Sequence, residues 1–245
     1  MSSMRNFYEH LKKLKLYGML EALEEQQDNP KFENMAFDVR LAHCVDRQVI
    51  YQDNKRLQSR LRRAKLHINN ACMEDIDYRQ TRGLKKTEIN ALAKGNWIKS
   101  HQNILLVGPT GTGKSYLACA LAHRACILGL QSQYVRVGRL FEQFQLARAN
   151  GTYTKQLAAF AKIKVLILDD FGVHDFNAHS RKDLLELLDD RYGKLSTIVT
   201  SQFDVKEWHK LIGDKTLADA ILDRLVHNAH KLILKGESMR KVKKQ

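Results

Sequence analysis

An eight-residue run, Gly108-Pro109-Thr110-Gly111-Thr112-Gly113-Lys114-Ser115, restricts the fold of this chain more than any other segment. Gly108, Gly111 and Gly113 let the backbone curl so that its N–H groups point inward without side-chain bulk. The apolar run Ile104-Leu105-Leu106-Val107 before it suits a buried strand, and a helix is predicted from Lys114 to Leu128 after it. A glycine loop between a buried strand and a helix N-terminus is a seat for a dense anion, because free N–H groups and the helix dipole add there. Lys114 supplies a cation for β- and γ-phosphates, and Ser115 a hydroxyl for Mg²⁺. The run, with Tyr116 next on the helix, therefore implies an ATP site.

The surrounding pattern is consistent with that seat. Short apolar runs at 134–137, 165–168, 197–200 and 231–234 alternate with helical stretches at 139–149, 179–192 and 215–227. Alternation of this kind predicts an α/β fold, a parallel five-stranded sheet flanked by helices. Upstream, 5–27 reads as one helix stopped by Asp28-Asn29-Pro30, and 35–66 as a second helical region with Phe37, Leu41, Val45 and Val49 on its apolar face. The expected division is a small all-α N-terminal domain at 1–66, serving DNA, partner or oligomer contacts. A linker and entry helix at 67–100 and an ATPase domain at 101–245 follow. After the last strand, 235–245 is too short for a helical lid, so the lid is expected to be absent or reduced. Arg240 is either a reduced second sensor or part of a basic tail with Lys241, Lys243 and Lys244.

Other polar residues fall where α/β sheets place ligands, at strand C-terminal ends. Leu166-Ile167-Leu168 leads into Asp169 and Asp170. Asp169 is the candidate for holding Mg²⁺ and Asp170 for orienting a lytic water, although acidic pairs after strands also cap helices. The strand ending in Thr200-Ser201-Gln202 is expected between the two motif strands, with Gln202 or Thr200, or else Ser201, near the γ-phosphate. Arg224 on the 215–227 helix either reaches a neighbouring subunit's γ-phosphate or makes a surface ion pair with Asp219 or Asp223.

The net charge is +14, with a sequence pI near 9.6. An excess that large points to a polyanionic partner. Lys55, Arg56, Arg60, Arg62, Arg63 and Lys65 fall in one helical stretch with no acid among them and no aromatic platform for unstacked bases. Such a stretch suits sequence-independent binding of duplex DNA; its alternative is a solvated helix face. The four cysteines form no C-x-x-C pair, which argues against a thiolate metal centre and for a reducing compartment. No apolar run reaches membrane-spanning length and the first residues lack an apolar leader, so a cytoplasmic protein without a membrane partner is expected.

The phosphate loop, Leu168-Asp169-Asp170-Phe171-Gly172, Thr200-Ser201-Gln202 and Asp223-Arg224-Leu225 occur in an order that resembles the initiator-like AAA+ ATPases, within them the DnaC/IstB group. The segments 11–26 (LKKLKLYGMLEALEEQ), Gly95-Asn96-Trp97-Ile98 and Gly236–Lys241 look like IstB, the helper ATPase of insertion-sequence transposases. The resemblance implies a homo-oligomer with ATP between subunits, Arg224 acting in trans, and sequence-independent duplex binding alongside an IstA-like transposase. Gln202 departs from the Asn common in DnaC-like relatives. A DnaC-like replicative helicase loader is the alternative within the group. A small-molecule kinase fits less well, since no arginine-bearing lid is evident.

Overall fold

The computed structural model describes residues 2–78 and 82–239, which form two compact units, Met1–Ser59 and Arg60–Gln245. The expectations for Arg240 and the tail beyond it fall outside the described residues.

The first unit contains α1 (Ser2–Lys13), α2 (Tyr17–Asp28) and most of α3 (Phe37–Ala64), with a 3-10 turn at Pro30–Phe32. The single helix expected over 5–27 is two. Lys15 adopts a left-handed φ of 59°, and Leu16 N–H bonds back to Leu11 O, which closes α1 and turns the chain into α2. α2 meets α3 backbone to backbone at Gly18, where a Cβ would stand 2.6 Å from Arg47 O. Gln48 Oε1 there accepts the N–H groups of Gly18 (2.8 Å) and Met19 (3.2 Å), two donors at the start of α2. The α3 face expected to pack does not. Cys44 and Gln48 are buried, whereas Phe37, Leu41, Val45 and Val49 are exposed.

In the second unit α3 ends at Ala64, and α4 (Lys86–Ala93) and α5 (Asn96–Lys99) precede the sheet. Then follow β1 (Asn103–Val107), α6 (Lys114–Ile127), β2 (Ser132–Arg136), α7 (Val137–Ala149), α8 (Tyr153–Ala161), β3 (Val165–Asp169), α9 (Ala178–Arg191), β4 (Ser196–Ser201), α10 (Val205–Ile212), α11 (Lys215–Val226) and β5 (Ala229–Ile233). The strands are parallel in the order β2-β3-β4-β1-β5, so β4 does lie between the two motif strands. Every residue of β1, β3 and β4 is buried, as a sheet covered on both faces requires. Leu105, Val107, Leu166, Leu168 and Val199 pack with residues of α7 to α11, around Phe144, Phe171 and Trp208. α6, with Leu117, Ala118, Leu121 and Ala122 buried, runs against the sheet as well. After β5 no lid helix forms among the described residues.

Charge divides unevenly. Residues 1–59 hold nine Lys/Arg and nine Asp/Glu, while 60–245 hold thirty-two and eighteen. The whole excess of +14 therefore belongs to the second unit.

Candidate nucleotide site

The phosphate loop sits at the C-terminal end of β1 and is fixed by close contacts at three glycines with positive φ. Gly108 has φ 150°, and a Cβ on it would stand 2.1 Å from Leu234 O. Gly111 (φ 85°) lies against Ser238, and Gly113 (φ 94°) against Arg82. Gly113 is also the N-cap of α6 and brings no side chain to cap it, so the first N–H groups of that helix stay available to an anion. The residue after β5 ties back to β1, with Leu234 N–H donating to Val107 O at 2.7 Å. Met239 N–H donates to Gly111 O at 2.9 Å.

Lys114 is buried, and its Nζ donates to Gly108 O (2.7 Å) and Pro109 O (2.9 Å). Burial pulls its pKa below that of a free lysine, against the opposing pull of Asp169 and Asp170. A desolvated ammonium whose close partners among the described residues are loop carbonyls suits an incoming phosphate. Thr112 is buried, and its hydroxyl donates to Pro109 O at 2.9 Å, an internal brace of the loop.

Asp169 ends β3 and is almost fully buried. Ser115 Oγ donates to its Oδ1 (2.9 Å) and Oδ2 (3.1 Å), Thr200 Oγ1 to Oδ1, and Tyr134 Oη to Oδ2 (2.6 Å). Asp170 has a left-handed φ of 60°, which turns its side chain out of the strand line, and its N–H donates to Thr200 Oγ1 at 3.1 Å. Burial raises the Asp170 pKa, with Asp169 adding to the rise and Arg136, Lys114 and His174 opposing it. Arg136 Nε stands 3.6 Å from Asp170 Oδ2. The glycine cradle and the open α6 terminus fit a triphosphate. The Ser115–Asp169 pair is an oxygen donor set that fits a hard divalent cation.

A cleft of about 250 Å³ opens on this site, lined by the loop, Ile68, Tyr116, Asp170, Gln202 and Met239. The three sensor candidates separate here. Thr200 binds the acidic pair, and Gln202 faces the cleft and accepts from Thr110 Oγ1 at 3.0 Å. Ser201 turns away, donating to Phe171 O at 2.8 Å and accepting Phe203 N–H. Sequence reasoning missed Tyr134, Arg136 and Arg82. Arg82 is buried below the loop, donating to Asp77 O and Thr112 O, and its Nε has no hydrogen-bond partner among the described residues.

Arg224 is not part of this cleft. It pairs with Asp189, rather than Asp219 or Asp223, and donates to Ala220 O at 2.8 Å. Its own carbonyl accepts from the side chain of Asn103, the first residue of β1. Arg224 thus stands at the end of β1 away from the phosphate loop, about 13 Å along a five-residue strand. It borders a second cleft, of about 330 Å³, with His101, Tyr192 and His227.

The six basic residues of the 55–65 stretch also differ. Lys55, Arg56, Arg62, Arg63 and Lys65 are exposed, Arg56 pairing with Asp53 at 3.3 Å. Arg60 is half-buried, and its Nε donates to Cys126 O at 2.9 Å, in the last turn of α6. Among the described residues no group of His, Cys, Asp and Glu forms a metal cluster, and no helix is long and apolar enough to cross a membrane.

Comparison with known proteins places this geometry in a lineage. A Sinorhizobium fredii protein named for an insertion sequence and for ATP binding is 46% identical over 226 residues, 92% of each chain. A similarly named protein of the insertion sequence IS1162, from Pseudomonas fluorescens, is 46% identical over 78% of this chain and 83% of its own. Among solved structures, DnaI matches with a TM-score of 0.58 at 24% identity, over 69% of this chain and 90% of its own. The DnaC helicase loader matches with 0.56 at 18%, over 68% and 97%. These two likenesses are of fold. Residues 9–245 match the family described as IstB-like ATP binding protein, and the chain belongs to that family.

Proposed function

We propose that this protein is an ATP hydrolase that assembles on duplex DNA and assists an insertion-sequence transposase in selecting or activating its target. The observation that carries the reading is the pairing of an uncapped α6 terminus and glycine cradle with two carboxylates at the end of β3, across β4 from β1. The loop N–H groups and Lys114 bind the phosphates, and the loop geometry holds them in one orientation. Ser115 and Asp169 would hold Mg²⁺, which would screen phosphate charge when bound. Asp170 accepts a proton from, and aligns, the attacking water, while Gln202 and Thr200 flank that point. Arg224 is too far along β1 to serve its own cleft, which supports action on a neighbour's γ-phosphate in a homo-oligomer.

For DNA, support comes from the basic excess of 60–245 and from exposed Arg62 and Arg63 on α3, Lys65 just past its end, and Lys55 and Arg56 earlier on α3. Relatives named for insertion sequences support a transposase as partner. The deciding experiment measures ATP turnover alone, with duplex DNA and with single strands. Stimulation by duplex is the expected outcome. Stimulation by single strands alone favours a helicase-loading role, and no turnover under any condition removes the hydrolase reading.

A further inference from the structure

Asp169 is a buried carboxylate, and burying one is costly unless its lone pairs are met by donors. Two of its three hydroxyl partners belong to motif positions, Ser115 after the phosphate loop and Thr200 on β4. The third, Tyr134, comes from β2, a strand with no residue in the sequence motifs.

We propose that Tyr134 is a positioning residue for the metal-holding carboxylate, and that it sets how strongly a divalent cation couples to nucleotide binding. The inference rests on the ATP·Mg²⁺ reading of the cleft. β2 pairs with β3 so that Arg136 lies beside Asp169 and Tyr134 beside Ile167. Tyr134 is thus one pleat back from the carboxylate on the adjoining strand. A phenol is long enough to reach forward over that gap, and it has few torsions to fix. Its ring is held by His67, stacked at 5.7 Å with an interplanar angle of 18°. The hydroxyl lies 2.6 Å from Oδ2, closer than either contact from Ser115.

The division of labour follows from the acceptor count. A carboxylate offers about four lone-pair positions. Ser115 would also hold the cation, and its hydroxyl would then be drawn from Asp169 toward the ion. Thr200 then remains on Oδ1 and Tyr134 on Oδ2, one fixed donor for each oxygen. Each oxygen keeps a free lone pair for the cation or its water shell. Without the Tyr134 hydroxyl, Oδ2 has no anchored donor once Ser115 turns away, and the carboxylate plane is no longer fixed at both ends.

Tyr134→Phe removes the hydroxyl and retains the ring and its His67 contact. The readout is affinity for a fluorescent ATP analogue, measured in EDTA and again across a Mg²⁺ titration, with Mn²⁺ EPR as a direct count of bound ion. Affinity in EDTA is expected to stay within about twofold of the parent, while the concentration of Mg²⁺ or Mn²⁺ needed for half-saturation rises about ten- to a hundredfold, the usual effect of losing such an outer partner. In an Asp169→Ala background, Tyr134→Phe is expected to add nothing further. An unchanged cation midpoint in Tyr134→Phe overturns the proposal, as does an equal loss of affinity in EDTA, which marks a general packing defect. A parent protein that binds nucleotide with no cation dependence overturns the ATP·Mg²⁺ reading instead.

Discussion

Gly108→Ala tests whether the end of β5 fixes the phosphate loop. A Cβ at this position stands 2.1 Å from Leu234 O and 3.0 Å from Leu234 C, both backbone atoms. Carbon–oxygen contacts normally begin near ~3.3 Å. The exit of β5 must therefore retreat by roughly 1 Å, against the Leu234 N–H to Val107 O bond that holds it at 2.7 Å. The backbone adds a second penalty, since a φ of 150° is nearly reserved for glycine. Overpacking costs about 1–3 kcal/mol and such a conformation about 1–3 kcal/mol more. Gly129→Ala is the internal control. It has a positive φ of 87° but no atom within 4 Å of a built Cβ, so it carries the conformational penalty alone, about 1–2 kcal/mol. Urea unfolding followed by tryptophan fluorescence reads the second unit selectively, because the only two tryptophans, Trp97 and Trp208, are buried there. Gly108→Ala is expected to lose about 2–6 kcal/mol and its nucleotide affinity. Gly129→Ala keeps its affinity. Equal stability and affinity in the two variants would refute the account of the loop as clamped by β5.

Lys114→Ala should abolish tight ATP binding, whereas Asp170→Asn should retain binding and slow hydrolysis; equilibrium binding and single-turnover rates separate the two. Arg224→Ala should bind ATP normally and lose about 10³–10⁵ in turnover if it acts in trans, and mixing it with Lys114→Ala should restore activity at interfaces that join two intact halves. Replacing Arg62 and Arg63 by Ala should flatten the salt dependence of duplex binding by up to about one logarithmic step per lost phosphate contact. Arg60→Ala should lower the thermal midpoint, read from a melting curve, because Arg60 Nε donates to Cys126 O.

The parts of the site that follow from local chain order were legible in the sequence. The loop, its flanking strand and helix, and the Asp169–Asp170 step are each contiguous, and glycine spacing or strand polarity marks them directly. The parts that depend on strand neighbours were not. Tyr134 and Arg136 are two apart on β2, but only the β2–β3 pairing brings them to the carboxylates. Their same-face spacing was the signal available. Arg82 reaches the loop from a segment with no periodic pattern at all. In the helices, unbroken apolar spacing concealed the turn at Lys15, where a non-glycine residue takes a left-handed φ. α10 went unread although Asp204 and Glu207 form a capping box before its first turn, a cue the sequence carries plainly. α8 has no side-chain cap to announce it.

The even balance of charge in the first unit has a kinetic consequence. Nine positive and nine negative residues over 1–59 cancel at any distance beyond the spacing between them, so that unit exerts no net pull on a distant polyanion. Long-range capture belongs to the 60–245 unit, whose field fades over a screening length of about 8 Å at physiological salt. The rate of encounter with a nucleic acid should then follow ionic strength in the same way whatever helical sequence occupies the first fifty-nine positions, provided that sequence is also neutral. Contacts made by the first unit would be felt in how long the complex lasts, not in how fast it forms.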